Sequence, residues 1–241
     1  MKFQDTHSYS HIGQRSNQED SLFHDQSILI VSDGVGGEAK GEMASKTVVN
    51  SFKDFYLYRL IEANNLDNLA EEATFYISLC LNNLKNDNIL YEGMAATLAT
   101  AYFVDEHIAC THIGDSRIYH FSGDGQLKWR SRDHSLVQEL VEAEIITADE
   151  AVVHPQKNVI TRVLQAKENN KVRPEIYTLS NLEPGDRLFL CTDGVLEAWN
   201  DASLQSLFSL KTSNSELLET IEKKCCQISK DNNTAIITTL T

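Results

Sequence analysis

Apolar residues recur along the chain with two different periods, and the switches between them predict the elements. The run Ser27-Ile28-Leu29-Ile30-Val31 is continuous and is closed by Asp33-Gly34, as expected for a buried strand and its turn. Between 43 and 60, Val48, Phe52, Phe55, Tyr56 and Leu60 repeat every three or four residues and predict a helix. A second helix carries one stripe of Leu66, Leu69, Ala73, Ile77, Cys80, Leu81 and Leu84. The middle of the chain is strand-like at 96–104 and 107–113, with a turn at Asp105-Glu106. Strands at 117–121 and 126–129 flank Ser122-Gly123-Asp124-Gly125, a hairpin signal. Helical spacing returns at Leu136, Leu140 and Ala143, and Thr147-Ala148-Asp149-Glu150 has the spacing of a capping box. Strands at 172–179 and 187–192, a helix through Leu218, Ile221, Cys225 and Ile228, and a strand at 235–240 complete the pattern. Paired strands with paired helices between them predict an α+β fold, with two antiparallel sheets and helices packed outside.

Composition narrows the function. The 241 residues are 41% hydrophobic and 23% charged, enough apolar surface for a sizeable core, and no repeat or linker-like stretch divides them. We therefore read 1–241 as a single domain. With 21 Lys and Arg against 35 Asp and Glu, the net charge is −14. That field repels phosphate backbones and anionic lipid, so no nucleic-acid or membrane partner is expected, whereas metal cations and basic partners are favoured. No segment reaches the roughly 18 apolar residues of a bilayer span, and residues 1–5 lack the apolar core of a secretion signal. The five cysteines are odd in number and two are adjacent, unlike a disulfide framework. A reduced, cytoplasmic protein is the expectation.

The chemistry is carried by aspartates. Asp33 follows Ile28–Ser32, Asp115 follows an apolar run ending in Ile113-Gly114, Asp193 follows Leu188-Phe189-Leu190-Cys191-Thr192, and Asp231-Asn232-Asn233 precedes the final strand. A carboxylate at the end of a buried strand is costly unless paired, hydrogen-bonded or on a metal. An oxygen-only set, with no Cys or His pair beside it, favours Mg²⁺ or Mn²⁺ over zinc. Asp-Gly and Gly-Asp are also ordinary turn dipeptides, so placement alone leaves both readings open.

The exact residues decide between them. Arg15-Ser16-Asn17-Gln18-Glu19-Asp20, Ser32-Asp33-Gly34-Val35-Gly36-Gly37, Gly114-Asp115-Ser116-Arg117, Thr192-Asp193-Gly194 and Asp231-Asn232 occur in the order and approximate spacing of the metal-dependent Ser/Thr protein phosphatases of the PP2C type (PPM). The stretch Asp133-His134-Ser135-Leu136-Val137, with His154-Pro155 and Asn158-Val159-Ile160-Thr161-Arg162, is similar to the flap of bacterial members, at about 131–165. The resemblance runs from about Gly13 to Leu240. It implies a β-sandwich of two antiparallel sheets flanked by pairs of helices, with metals in a cleft at one end. It implies that Asp33 bridges two Mn²⁺ or Mg²⁺ ions, that the Gly34 carbonyl binds one, and that Asp193 and Asp231 complete the second. Asp115, with Asp193, would hold a weaker third ion, Glu19 and Asp20 would orient water, and Arg15 would clamp the substrate phosphate. The implied partners are phosphoserine and phosphothreonine proteins, with a bacterial Ser/Thr kinase as the activity opposed. The alternative is a catalytically silent, phosphatase-like regulatory module that binds phosphoproteins; retention of Arg15, Asp33, Asp193 and Asp231 speaks against it. Val35 and Glu38 stand where relatives carry histidine, so no side chain is assigned as general acid.

Other chemistries fail on spacing. Cys110 to Arg117 is one residue too long for a cysteine phosphatase, and His7 and His11 lack the glutamate of a zincin. A two-metal nuclease has compatible ions but the wrong overall charge. Between 133 and 150 lie six acidic residues (Asp133, Glu139, Glu142, Glu144, Asp149, Glu150) and no lysine or arginine, which suggests either a solvated helix face or an acidic rim beside the cleft.

Overall fold

The structure, a computed structural model, describes residues 1–36, 39–61, 68–166 and 172–241; Gly37 and Glu38 of the glycine motif and Leu66 of the second helical stripe lie outside them. In chain order the strands are β1 (Phe3–His11), β2 (Ser21–His24), β3 (Ile28–Ser32), β4 (Gly34–Val35), β5 (Ala95–Ala96), β6 (Leu98–Val104), β7 (His107–Ile113), β8 (Arg117–Phe121), β9 (Leu127–Arg130), β10 (Leu164–Gln165), β11 (Glu175–Leu179), β12 (Arg187–Cys191) and β13 (Asn233–Leu240). The helices are α1 (Ala39–Ile61), α2 (Leu69–Asp87), α3 (Leu136–Glu142), α4 (Ala148–Val153), α5 (Asp193–Leu196), α6 (Asp201–Phe208) and α7 (Asn214–Ile228). One five-stranded sheet has the order β1-β13-β12-β8-β9 and the other β11-β7-β6-β3-β2, while β10-β5-β4 form a small third sheet. Neighbouring strands are antiparallel throughout.

The two large sheets pack face to face, with α1 and α2 outside one and α5, α6 and α7 outside the other. Alternation along the strands builds these layers. In β3, Leu29 and Val31 face the inter-sheet core with Ile118, Leu188, Leu190 and Ile236. Ile28 and Ile30 face the helices, against Val48, Phe52, Ala73 and Ile77. Phe189, Cys191 and Ile237 on the opposite sheet pack on Leu217, Ile221 and Cys225 of α7. A strand covered on both faces has no polar side, which is why β3 and β12 read as unbroken apolar runs. This is the four-layer α+β arrangement expected from the sequence.

The differences sit at edges and at the cleft. β1 is an edge strand with a register irregularity between Gln4 and His7 and only Phe3 and Tyr9 buried, so its sequence shows no clean alternation. The strand expected at 96–104 breaks at Thr97, whose N–H donates to the Asp33 carbonyl at 2.8 Å. The strand expected from 172 begins at Glu175 and is exposed along most of its length, again at an edge. The capping box at Thr147 and Glu150 is present, and α7 opens on a second one at Ser213 and Glu216. Among the described residues no helix is long and apolar enough to cross a membrane.

Candidate functional site

Strand ends from both sheets converge at one end of the sandwich. Asp33 leaves β3, Asp115 leaves β7 through Gly114, Asp193 opens α5 just after β12, and Asp231 stands two residues ahead of β13. With Arg15, Glu19, Gly34 and Val35 they line a cleft of about 360 Å³, and Asn158 and Ile160 of the flap segment line its other side. Asp20 lies behind this surface, 5% exposed, with Oδ2 accepting from Thr192 Oγ1 at 2.8 Å. All the aspartates singled out in the sequence are thus brought to one place.

The electrostatics are those of crowded, buried carboxylates. Burial pushes the Asp33 carboxyl well above the usual carboxylate range, and the charges of Asp20, Asp193, Asp115 and Asp231 push it further. Asp115 is raised by burial and then by Asp193. Asp20 is pushed up to about 7 and Asp193 to about 6, burial being the larger cause in both. Asp20 Oδ1, Asp115 Oδ1 and Asp193 Oδ1 are buried without a hydrogen-bond partner. Such oxygens are costly unless a cation meets them. The donor set, carboxylates beside a glycine carbonyl, fits a hard divalent ion. Arg15 sits at the rim, 60% exposed along its side chain, with Nη2 on Asp231 Oδ2 at 2.5 Å.

Three residues given no role in the sequence reading hold this geometry. Asn232 Oδ1 accepts from Glu19 N–H at 2.7 Å, and its Nδ2 donates to the carbonyls of Ile12 and Asn17 at 2.8 and 2.9 Å, so one amide fastens the loop bearing Arg15 and Glu19. Thr97 Oγ1 accepts from Asp33 N–H at 2.8 Å and meets Ser116 Oγ at 2.7 Å. Thr192 Oγ1 accepts from Thr234 N–H at 3.0 Å while donating to Asp20. Asn232 and Thr192 stood in quoted motifs, Asp231-Asn232 and Thr192-Asp193-Gly194, while Thr97 carried no signal. Gly41, in the first turn of α1, also lies on the site. A β-carbon there would fall 2.8 Å from the Gly34 carbonyl oxygen and against the Glu19 carboxylate.

Other expectations resolve locally. No cysteine lines the cleft, and burial pushes the Cys110 and Cys191 thiols upward, which keeps them inert. His7 pairs with Asp5 at 2.8 Å and His11 accepts from Gly13 N–H at 3.0 Å. Two members of the six-residue acidic run are engaged elsewhere. Asp133 is forked by Arg117 at 2.7 and 2.6 Å, and Glu150 closes the α4 capping box, so neither is free to form a rim.

With this geometry in view, comparison with known proteins is decisive. The family model of protein phosphatase 2C matches residues 8–229. The chain belongs to the protein phosphatase 2C family. It is similar to the serine/threonine protein phosphatase PstP of Mycobacterium tuberculosis, 33% identical over 198 residues, covering 79% of this chain and 36% of that protein. The chain thus spans about a third of the length of PstP. Protein phosphatase PhpP of Streptococcus pneumoniae is 31% identical over 219 residues, 87% of this chain and 86% of the relative. Among solved structures, the catalytic domain of PstP in complex with two manganese ions superposes with a TM-score of 0.82 at 26% identity, covering 99% of this chain and 98% of that one. A divalent metal requirement accords with the orphaned carboxylate oxygens of this protein phosphatase 2C cleft.

Proposed function

We propose that this chain is a cytoplasmic, Mn²⁺- or Mg²⁺-dependent phosphatase of phosphoserine and phosphothreonine in proteins, reversing a bacterial Ser/Thr kinase, with residues 1–241 as one catalytic unit. The observation that carries the reading is the meeting of buried carboxylates from separate strand ends, three of them with an oxygen lacking any protein partner. Asp33, the Gly34 carbonyl, Asp193 and Asp231 would hold two ions, and Asp115 a third. Bound there, divalent ions would neutralise the phosphate dianion and acidify water. Arg15, exposed at the rim, offers a planar fork matched to two phosphate oxygens. Asp20, fixed by Thr192, presents its second oxygen as an acceptor for water.

The test is turnover of a phosphothreonine peptide and of p-nitrophenyl phosphate by metal-stripped protein, with and without Mn²⁺. Hydrolysis that appears with Mn²⁺ and disappears with EDTA is expected. Binding of the phosphopeptide without turnover would mark a silent regulatory module instead, and full activity in EDTA would remove the metal mechanism.

Gly41→Ala probes the Gly34 carbonyl. Overpacking costs about 1–3 kcal/mol, while replacing a helical glycine by alanine returns about 1 kcal/mol. Net stability should therefore fall by about 0–2 kcal/mol, and Mn²⁺ affinity should fall about tenfold as the carbonyl is displaced. Calorimetric titration and thermal denaturation of one preparation check the split; unchanged Mn²⁺ affinity would count against the Gly34 assignment.

A further inference from the structure

Asp133 and His134, at the entrance to the flap segment, each grip the loop between β7 and β8 that bears Asp115. Arg117 Nε and Nη2 donate to Asp133 at 2.7 and 2.6 Å, and Arg117 Nη1 reaches Asp201 at 3.2 Å. His134 holds the other end of the loop from two sides. Its Nδ1 accepts from Gly114 N–H at 3.1 Å, and its own N–H donates to the Gly114 carbonyl at 2.9 Å. Gly114 has φ +105 and lies against Thr97, a conformation and a closeness that leave no room for a side chain. The His134 carbonyl accepts from Thr161 N–H at 2.8 Å, so the same residue ties in the returning leg of the flap.

His112, His134 and Glu175 offer ligand-type atoms within 4.8 Å of one another, which raises the question of a second metal site. Hydrogen-bond logic answers it. With Nδ1 accepting from Gly114, the neutral His134 ring carries its proton on Nε2, which faces Glu175 Oε2 at 3.3 Å. His112 Nε2 faces the Arg132 carbonyl at 2.6 Å and must also be protonated. In this tautomer neither Nε2 has a lone pair to give, and the Arg162 guanidinium lies 3.4 Å from His134 Nε2, where it would repel a cation. The rings stack at 4.5 Å with 14° between their planes. This cluster is a brace.

We propose that His134 is a positioning residue: its Nδ1 fixes the Gly114 amide and thereby aims the Asp115 carboxylate into the cleft. The consequence for metal rests on the phosphatase reading above; the hydrogen bond itself does not. Asp115 is 8% exposed and its Oδ1 has no protein partner. It is followed by Ser116, whose hydroxyl bonds Thr97, which in turn accepts from Asp33 N–H. Slack at Gly114 is therefore felt at Asp115 first and at Asp33 only through two further links.

Two variants separate an acceptor from a packing ring. His134→Asn places an oxygen near the position of Nδ1, and His134→Phe keeps a stacking ring without an acceptor. In metal-free protein, amide exchange followed by NMR should quicken about tenfold at Gly114 in His134→Phe and stay near wild type in His134→Asn. Titration with Mn²⁺ should show the weakest binding event loosened about tenfold in His134→Phe, with the tighter events kept, and rescue in His134→Asn. Should His134→Phe not fold, His134→Gln, whose acceptor is displaced along a longer side chain, replaces it. Unchanged Gly114 exchange, equal losses in both variants, or equal weakening of every Mn²⁺ event would overturn the proposal. A wild-type protein that bound no Mn²⁺ would sink the phosphatase reading and leave the exchange comparison to decide the role of Nδ1.

Discussion

Asp33→Asn is expected to cut phosphopeptide turnover on the order of 10³-fold, about 4 kcal/mol of barrier, and at the same time to stabilise the metal-free protein. The two effects share one cause. Asp33 stands at the centre of the carboxylate group, raised by burial and then by four neighbouring aspartates. As a residue proposed to help hold both ions, it would bear on every function they supply. Without a cation its charge is a buried liability that asparagine removes while keeping the side chain's shape. Relief of about 1–2 kcal/mol would raise the thermal midpoint of a chain this size by about 4 °C. Activity and melting measured on one preparation, with Mn²⁺ and with EDTA, check both signs. Wild-type turnover, or a metal-free variant that melts below wild type, would refute the assignment.

The same crowding explains what the sequence could reveal. Strands buried on both faces leave largely apolar runs, unbroken in β3 and β12 and interrupted by Thr111 and His112 in β7, so all three were legible, and with them the aspartates at their ends. Helices α2 and α7 were legible because one face alone is buried. Edge strands divided: β9 and β11 were legible to within a few residues, whereas β1, with a register irregularity and only Phe3 and Tyr9 buried, and the half-buried β2 were not. The short helices α5 and α6 lie between β12 and α7 without a stripe long enough to register. Within the site, ligand candidates announced themselves by chemistry that is costly to bury, whereas their supports did not. Thr97, Thr192 and His134 act through hydrogen bonds that depend on where distant segments meet, and no local spacing encodes those partners. The acidic run was legible only as a run, because the partners that engage Asp133 and Glu150 are not disclosed by spacing.

Stabilisation by Mn²⁺ should grow as the pH rises. Asp20, at about 7, and Asp193, at about 6, are both raised above an ordinary aspartate, chiefly by burial. A carboxyl raised in the fold contributes stability that is complete below its unfolded value, near pH 4, and is lost as the pH climbs through 6 and 7. The metal-free fold therefore weakens over this window, as these groups give up protons that the fold prefers to keep. Mn²⁺ competes with those same protons. At pH near 5.5 it must displace them, and near pH 7.5 it meets carboxylates already ionised. Each displaced proton changes the binding free energy by about 1.4 kcal/mol per pH unit, so the Mn²⁺-induced gain should increase by about 2 kcal/mol or more between those two conditions. Histidines run the other way: burial holds His134 down at about 4, so folding excludes a proton that the unfolded chain takes up below about pH 6.5. Comparing protein with and without Mn²⁺ at each pH cancels that contribution. Urea denaturation at the two pH values, in EDTA and in excess Mn²⁺, supplies the four numbers. A metal effect that is flat with pH, or larger on the acid side, would mean that Asp193 is not a carboxyl the ion meets and that Asp20 does not face it through water.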